Sequence, residues 1–202
     1  MYLNVGLIMG ILSNKNLRMK ALILVISSIL ISWSSSQAQT IFITDSSHVS
    51  FFSATPVEDI DAVNYASTSL LNVGKKEVAF RVPISGFQFE KPLMQEHFNE
   101  NYLETGKYPT ASFKGKLSDS LDLAKDTTYN VTATGMLTIH GVDRAQTFSG
   151  VIVTKDGKAT LKSEFKVKLT DHKIKVPKVV FANIAEEIEV KVFFQYKPYE
   201  KK

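Results

Sequence analysis

The sequence predicts an all-β fold of one domain, and three observations carry that prediction. Apolar and polar residues alternate with a period of two over several long stretches, as strands with one buried face require. Turn-forming residues separate those stretches. Only one segment carries the start and stop signals of a helix. A chain of 202 residues fits a single domain once a targeting segment is set aside.

That segment is read over residues 1–38. Met19 and Lys20 precede the apolar run 21–26, which resumes at 29–31, and Ser34, Ser35, Ser36, Gln37 and Ala38 follow. A charged start, a short apolar core and a Ser-x-Ala ending make a secretory signal cleaved near Ala38. The core falls short of the ~20 apolar residues of a spanning helix. The better signal starts at Met19, which leaves residues 1–18 superfluous. The expected domain is 39–202, in the periplasm or secreted.

Short strands are expected at 41–44, 48–54 and 64–71. Val78, Phe80, Val82 and Ile84 form the next inward set after the turn at Asn72-Val73-Gly74. A helical segment runs from Pro92 to Thr105, with Pro92 suited to the first helical position and Gly106 to the stop. Leu93, Met94, Phe98 and Tyr102 share one broad apolar face, while Asn99 and Asn101 weaken the helix, so two short turns fit as well as one. It would lie across the fold as a lid or plug.

Phe113 and Leu117 start the next strand. Tyr129, Val131, Ala133, Leu137 and Ile139 then alternate with Thr128, Asn130, Thr132, Thr134 and Thr138. A strand is expected at 146–154. Over Lys158 to Thr170 the inward set is Ala159, Leu161, Phe165, Val167 and Leu169, with Ser163 as its single polar member. Ile188, Val190, Val192, Phe194 and Tyr196 end the series. Long strands with one apolar face and few helices to cover them are expected to close into an antiparallel barrel of about eight strands; a sandwich is the alternative. The outward faces carry Lys, Glu and Thr, which excludes a transmembrane barrel.

Composition removes many chemistries. There is no cysteine, hence no disulfide, thiolate nucleophile or lipoprotein anchor. Lys15, Arg18 and Lys20 are the charges of the signal; without them the 24 basic residues become 21 against 20 acidic ones, and no electrostatic case for nucleic acid remains. His48, His97, His140 and His172 lack metal-ligand spacing. Glu58, Asp59 and Asp61, like Glu186 and Glu187, lack the glycine turn of a calcium loop and read as surface charge. No catalytic residue, metal or cofactor is expected.

What stands out is inward phenylalanine: Phe80, Phe113, Phe148, Phe165, Phe181 and Phe194, with Phe87, Phe89 and Phe98 near the lid. A filled core and an elongated apolar tunnel fit this composition equally. Candidate lining residues are Phe80, Val82, Ile84, Phe87, Phe89, Met94, Phe98, Tyr102, Phe113, Leu137, Ile139, Phe148, Phe165, Val167 and Phe194.

Three segments resemble the YceI-like family of bacterial periplasmic lipid-binding proteins. They are 93–102 running into Lys107-Tyr108-Pro109-Thr110-Ala111-Ser112-Phe113, the stretch Gly135-Met136-Leu137-Thr138-Ile139-His140-Gly141-Val142-Asp143-Arg144, and 165–174 with Pro177 and the final strand. The resemblance covers about residues 76–196. The segment 53–62 departs from the family pattern and is similar to a Bacteroidetes-type branch. The resemblance implies a lipocalin-like barrel holding a long isoprenoid or fatty chain, with no catalytic residue, and it favours the tunnel. His140 matches a family position and is read as a turn or rim residue. A lipid partner and transient membrane contact are expected. A filled-core interaction module and, less favoured, a lipid-acting enzyme remain as alternatives.

Overall fold

A computed structural model describes residues 41–54, 59–175 and 186–200. The expected signal at 1–38, Pro177 and Phe181 lie outside the described residues.

The strands are β1 (Ile41–Ser53), β2 (Ile60–Asn64), β3 (Thr68–Asn72), β4 (Glu77–Pro83), β5 (Phe87–Gln88), β6 (Thr110–Leu117), β7 (Thr127–Ile139), β8 (Val142–Lys155), β9 (Lys158–Lys168) and β10 (Glu187–Pro198). They form one antiparallel sheet in the order β10-β9-β8-β7-β6-β4-β3-β1-β2-β5, and β10 also pairs with β1. That last pairing closes a ring of eight: β1, β3, β4, β6, β7, β8, β9 and β10. β2 and β5 stand beside it as a flap, β2 on Val49–Ser53 of β1 and β5 on Val63 and Asn64 of β2. A closed barrel with one short helix is thus the fold the alternation predicts.

Several boundaries differ from expectation. The two strands expected at 41–44 and 48–54 are one, β1, broken in register between Thr44 and Ser46. That bulge bends the strand, so its first residues reach β3 and its last reach β2. The strand expected at 64–71 is two, β2 and β3. Asn64 turns the chain there by accepting hydrogen bonds from the Ala66 amide at 2.8 Å and the Ser67 hydroxyl at 3.0 Å. β8 extends back to Val142, and β9 stops at Lys168, where a 3₁₀ turn, Leu169–His172, takes over.

The β7–β8 hairpin turns on His140 and Gly141, with φ of 53° and 68°. Two positive φ values are what a two-residue turn needs to match strand twist. The helical segment is a six-residue helix, α1 (Pro92–His97), followed by one π turn, Phe98–Tyr102. Leu93, expected on its buried face, is 62% exposed; with Pro92 at N1 it faces solvent, and Phe98 makes the inward contact.

Candidate functional site

The interior is built around a belt of rings. Tyr196 and Phe194 of β10 sit 6.3 Å apart, Phe194 and Phe80 of β4 6.1 Å, Phe80 and Phe113 of β6 5.3 Å, Phe113 and Phe148 of β8 5.2 Å, and Phe148 and Phe165 of β9 4.0 Å. The strand registers explain the belt. Phe80 is opposite Phe113, and continuing across the sheet Phe113 meets Leu137 while Ala133 meets Phe148. A large residue beside a small one leaves each ring room. Gly115, next inward on β6, works the same way: a Cβ there would stand 2.5 Å from the Phe113 ring.

The belt has a consequence for the tunnel expected from the sequence. Among the described residues two adjoining chambers lie along that interior. One, about 90 Å³, lies under the lid and is lined only by apolar residues, among them Phe51, Val82, Ile84, Phe87, Phe98 and Leu137. The other, about 30 Å³, lies on the far side among Phe113, Val131, Phe148, Leu161, Phe194 and Tyr196. Phe80, Phe165 and Val192 line both. They are the partition.

Of the candidate lining residues, Phe80, Val82, Ile84, Phe87, Phe98, Leu137, Ile139, Phe165 and Val167 line the lid-side chamber. Phe113, Phe148 and Phe194 line the far one. Phe89, Met94 and Tyr102 line neither of these chambers. Phe89 is half-buried and packs its ring on Phe51 at 5.8 Å and Phe98 at 5.0 Å. Burial pushes the Tyr102 phenol pKa up. Lid-side lining residues absent from the candidates are Val49, Phe51, Leu103, Ala111 and Ile174, together with Leu169, Ile188, Val190 and Val192, which the sequence placed inward without assigning them to the lining. Phe51 sits in β1, whose alternation is blurred by the bulge and by Ser47 and Ser53 on the inward side.

The lid is held at two points. Phe98 contacts Phe51 at 5.4 Å, Phe87 at 5.6 Å and Phe89 at 5.0 Å. At its far end Glu104 reaches the hairpin, with its Oε2 2.7 Å from His140 Nε2. The other ring nitrogen of His140 is 3.2 Å from the His172 carbonyl, and Tyr108 places its ring edge-on at 4.4 Å. His140 is therefore at the turn, as expected, but it fastens three segments there. Gly141 has no side chain because a Cβ would fall 2.5 Å from the Tyr108 ring.

His172 is 1% exposed, with Nδ1 3.2 Å from the Val142 carbonyl. Burial is the larger influence on its imidazole and holds the pKa below the ordinary 6.5; Arg144 acts the same way, while the Val142 and Ile139 backbone and Asp171 oppose it. Above 6.5 the folded and unfolded forms are both neutral. Below it the unfolded chain binds the proton first, so stability falls as pH drops through that value. Urea midpoints measured near pH 7.5 and near pH 5 should show this fall, and His172→Gln should narrow the gap; an unchanged gap would remove His172 as its source.

Among the described residues no buried side-chain nitrogen or oxygen lacks a hydrogen-bond partner, and no group of three or more His, Cys, Asp or Glu is placed to hold a metal. The arrangement can enclose apolar matter.

Fold and site together define a closed, lidded β-barrel with a divided apolar interior. The chain belongs to the YceI-like domain family, whose model matches residues 37–196. Among solved structures it is similar to a polyisoprenoid binding domain from Saccharophagus degradans, implicated in plant cell wall breakdown, at 15% identity and a TM-score of 0.65 over 78% of this chain and 98% of that one. It is also similar to BcnA of Burkholderia cenocepacia, at 14% identity and a TM-score of 0.62 over 75% of this chain and 96% of that one. Comparison with curated protein sequences finds no match.

Proposed function

We propose that this protein is an exported, non-catalytic carrier that holds a long isoprenoid or other lipid chain inside the barrel, in the periplasm or outside the cell. The observation that carries the reading is the lid-side chamber: every residue lining it is apolar, and an aromatic side chain of the lid forms part of its wall. The similar domain from Saccharophagus degradans is described as polyisoprenoid-binding, and the export pattern at Met19–Ala38 would bring the protein next to membranes.

The energetics favour carriage. Burying one methylene from water is worth about 0.8 kcal/mol, so tens of carbons would exceed the affinity ceiling of about 18–21 kcal/mol. The real competitor is the bilayer, as apolar as the barrel, which makes transfer between them close to neutral. A protein of this kind buffers or sequesters lipid without reacting with it.

The chamber is small for that task. At about 90 Å³ it lies below the ~150 Å³ of an engineered cavity that accepts benzene. A chain therefore has to push aside the partition formed by Phe80, Phe165 and Val192. The same small volume favours a second reading, a filled barrel that acts only through its outer face.

Native mass spectrometry of the exported protein, followed by organic extraction, separates the two. A discrete bound mass released by solvent as an isoprenoid or fatty chain is the expected result. A bare protein mass that persists after incubation with isoprenoid quinones and fatty acids would overturn carriage in favour of the filled barrel.

A further inference from the structure

The barrel wall has a seam. β8 pairs with β9 only from Lys155 opposite Lys158 to Gly150 opposite Ser163. Beyond that point both strands continue, β8 still paired to β7 and β9 to β10, but residues 143–149 and 164–168 form no ladder with each other. The fork is held by Ser163, whose hydroxyl donates to the Ser149 carbonyl at 2.6 Å. The other end is tied where Arg144 Nε donates to the Asp171 carbonyl at 2.8 Å. At ~3.4 Å per residue the open stretch between Arg144 and Gly150 is about 20 Å long.

Side chains close it. Continuing the β8–β9 register past the fork brings Phe148 opposite Phe165, and their rings stand 4.0 Å apart. Phe148 is buried and Phe165 half-buried. On the inside lies the far chamber; on the outside lies a groove of about 580 Å³. The two share Val131, Ser149, Gly150, Ser163 and Val192, so they are opposite sides of one strip of wall, thinned at Gly150.

We infer that lipid chains pass sideways through the seam between β8 and β9, with Phe148 and Phe165 as its latch, and not end-on past α1. This rests on the carrier reading. The comparison of routes decides it. Between its two ties, Ser163 to Ser149 and Arg144 to Asp171, the seam is crossed by the Phe148–Phe165 ring contact and by no ladder hydrogen bond. Lifting the lid separates Phe98 from three rings and Glu104 from His140. A chain threaded through the seam also arrives at the partition, where Phe165 lines both chambers.

Thr147 and Lys166 face each other across the seam in the same register, and both are exposed. The chain has no cysteine, so Thr147→Cys with Lys166→Cys can be closed selectively by oxidation or a short bismaleimide. Exchange of a pyrene-labelled fatty acid and of an isoprenoid quinone with phosphatidylcholine vesicles is then followed. The closed form should exchange about tenfold more slowly than the reduced form, as a blocked gate does, while lipid loaded before closure stays bound. Phe148→Ala, with no cross-link, should speed exchange. Unchanged rates in the closed form, or slower exchange in Phe148→Ala, would overturn the seam as the route. A reduced protein that takes up neither probe would instead overturn carriage itself, and the seam proposal with it.

Discussion

Phe98→Glu is expected to empty the barrel of lipid while leaving it folded. Phe98 sits at the junction of the π turn and α1 and touches Phe51, Phe87 and Phe89, while its side chain also lines the lid-side chamber. Each aromatic pair is worth about 0.5–1.5 kcal/mol beyond its buried area. A carboxylate in the same place loses all three and would have to shed water against walls lined only by apolar residues, a cost of several kcal/mol. The segment therefore lifts, and the chamber opens to solvent. The barrel survives because Phe98 is outside the closed ring of ladders. Extraction of the purified variant should yield no lipid where the unchanged protein yields one, with the far-ultraviolet dichroism of the barrel retained. Phe98→Leu, which keeps an apolar side chain, should retain its lipid. Full retention by Phe98→Glu in a folded barrel would show that the lid-side chamber is not where the chain lies.

The barrel was legible because its physics is local. Alternation fixes which side of a strand is buried, and a period of two runs the length of β7, β9 and β10, with Ser163 the polar exception on the inward side of β9. Where a local device interferes the reading blurs. The bulge at Asp45 makes one strand look like two, and the side chain of Asn64 makes two strands look like one. The rings of the site were also legible, since an inward phenylalanine declares itself by parity. Their arrangement was not. Whether such rings line a tunnel or meet across it depends on contacts between unpaired strands distant in sequence, such as the Phe80 ring with that of Phe194. One clue did stand in the sequence. Ser163 is the polar exception in the inward set of β9, and it is the residue that closes the fork of the seam. His140 and Glu104 carry no such mark, because a fastening over 36 residues of chain leaves no periodic trace.

Asn64→Ala should cause the largest loss of stability, and Gly86 offers the way to show why. Asn64 is fully buried. Its carboxamide donates to the Pro83 carbonyl at 2.7 Å and accepts from the Ala66 amide and the Ser67 hydroxyl. These bonds tie the end of β2 to the end of β4, and Asn64 pairs in register with Phe87, a wall of the lid-side chamber. Truncation leaves buried groups without partners, at about 1–3 kcal/mol each. A total near 3 kcal/mol lowers the melting temperature by about 6–12 °C in a domain of this size. Gly86 lies against the same carboxamide: a Cβ there would stand 2.7 Å from Asn64 Nδ2. Because three hydrogen bonds hold that amide still, Gly86→Ala should cost about 1–3 kcal/mol through overpacking. In the Asn64→Ala background the obstruction is gone, so the same Gly86→Ala change should be close to neutral. The two single losses would then exceed the loss in the double variant by more than 1 kcal/mol, well outside the ~0.5 kcal/mol of independent sites. Additive losses, measured by urea unfolding, would mean that the carboxamide yields freely and that its hydrogen bonds do not position the Phe87 wall.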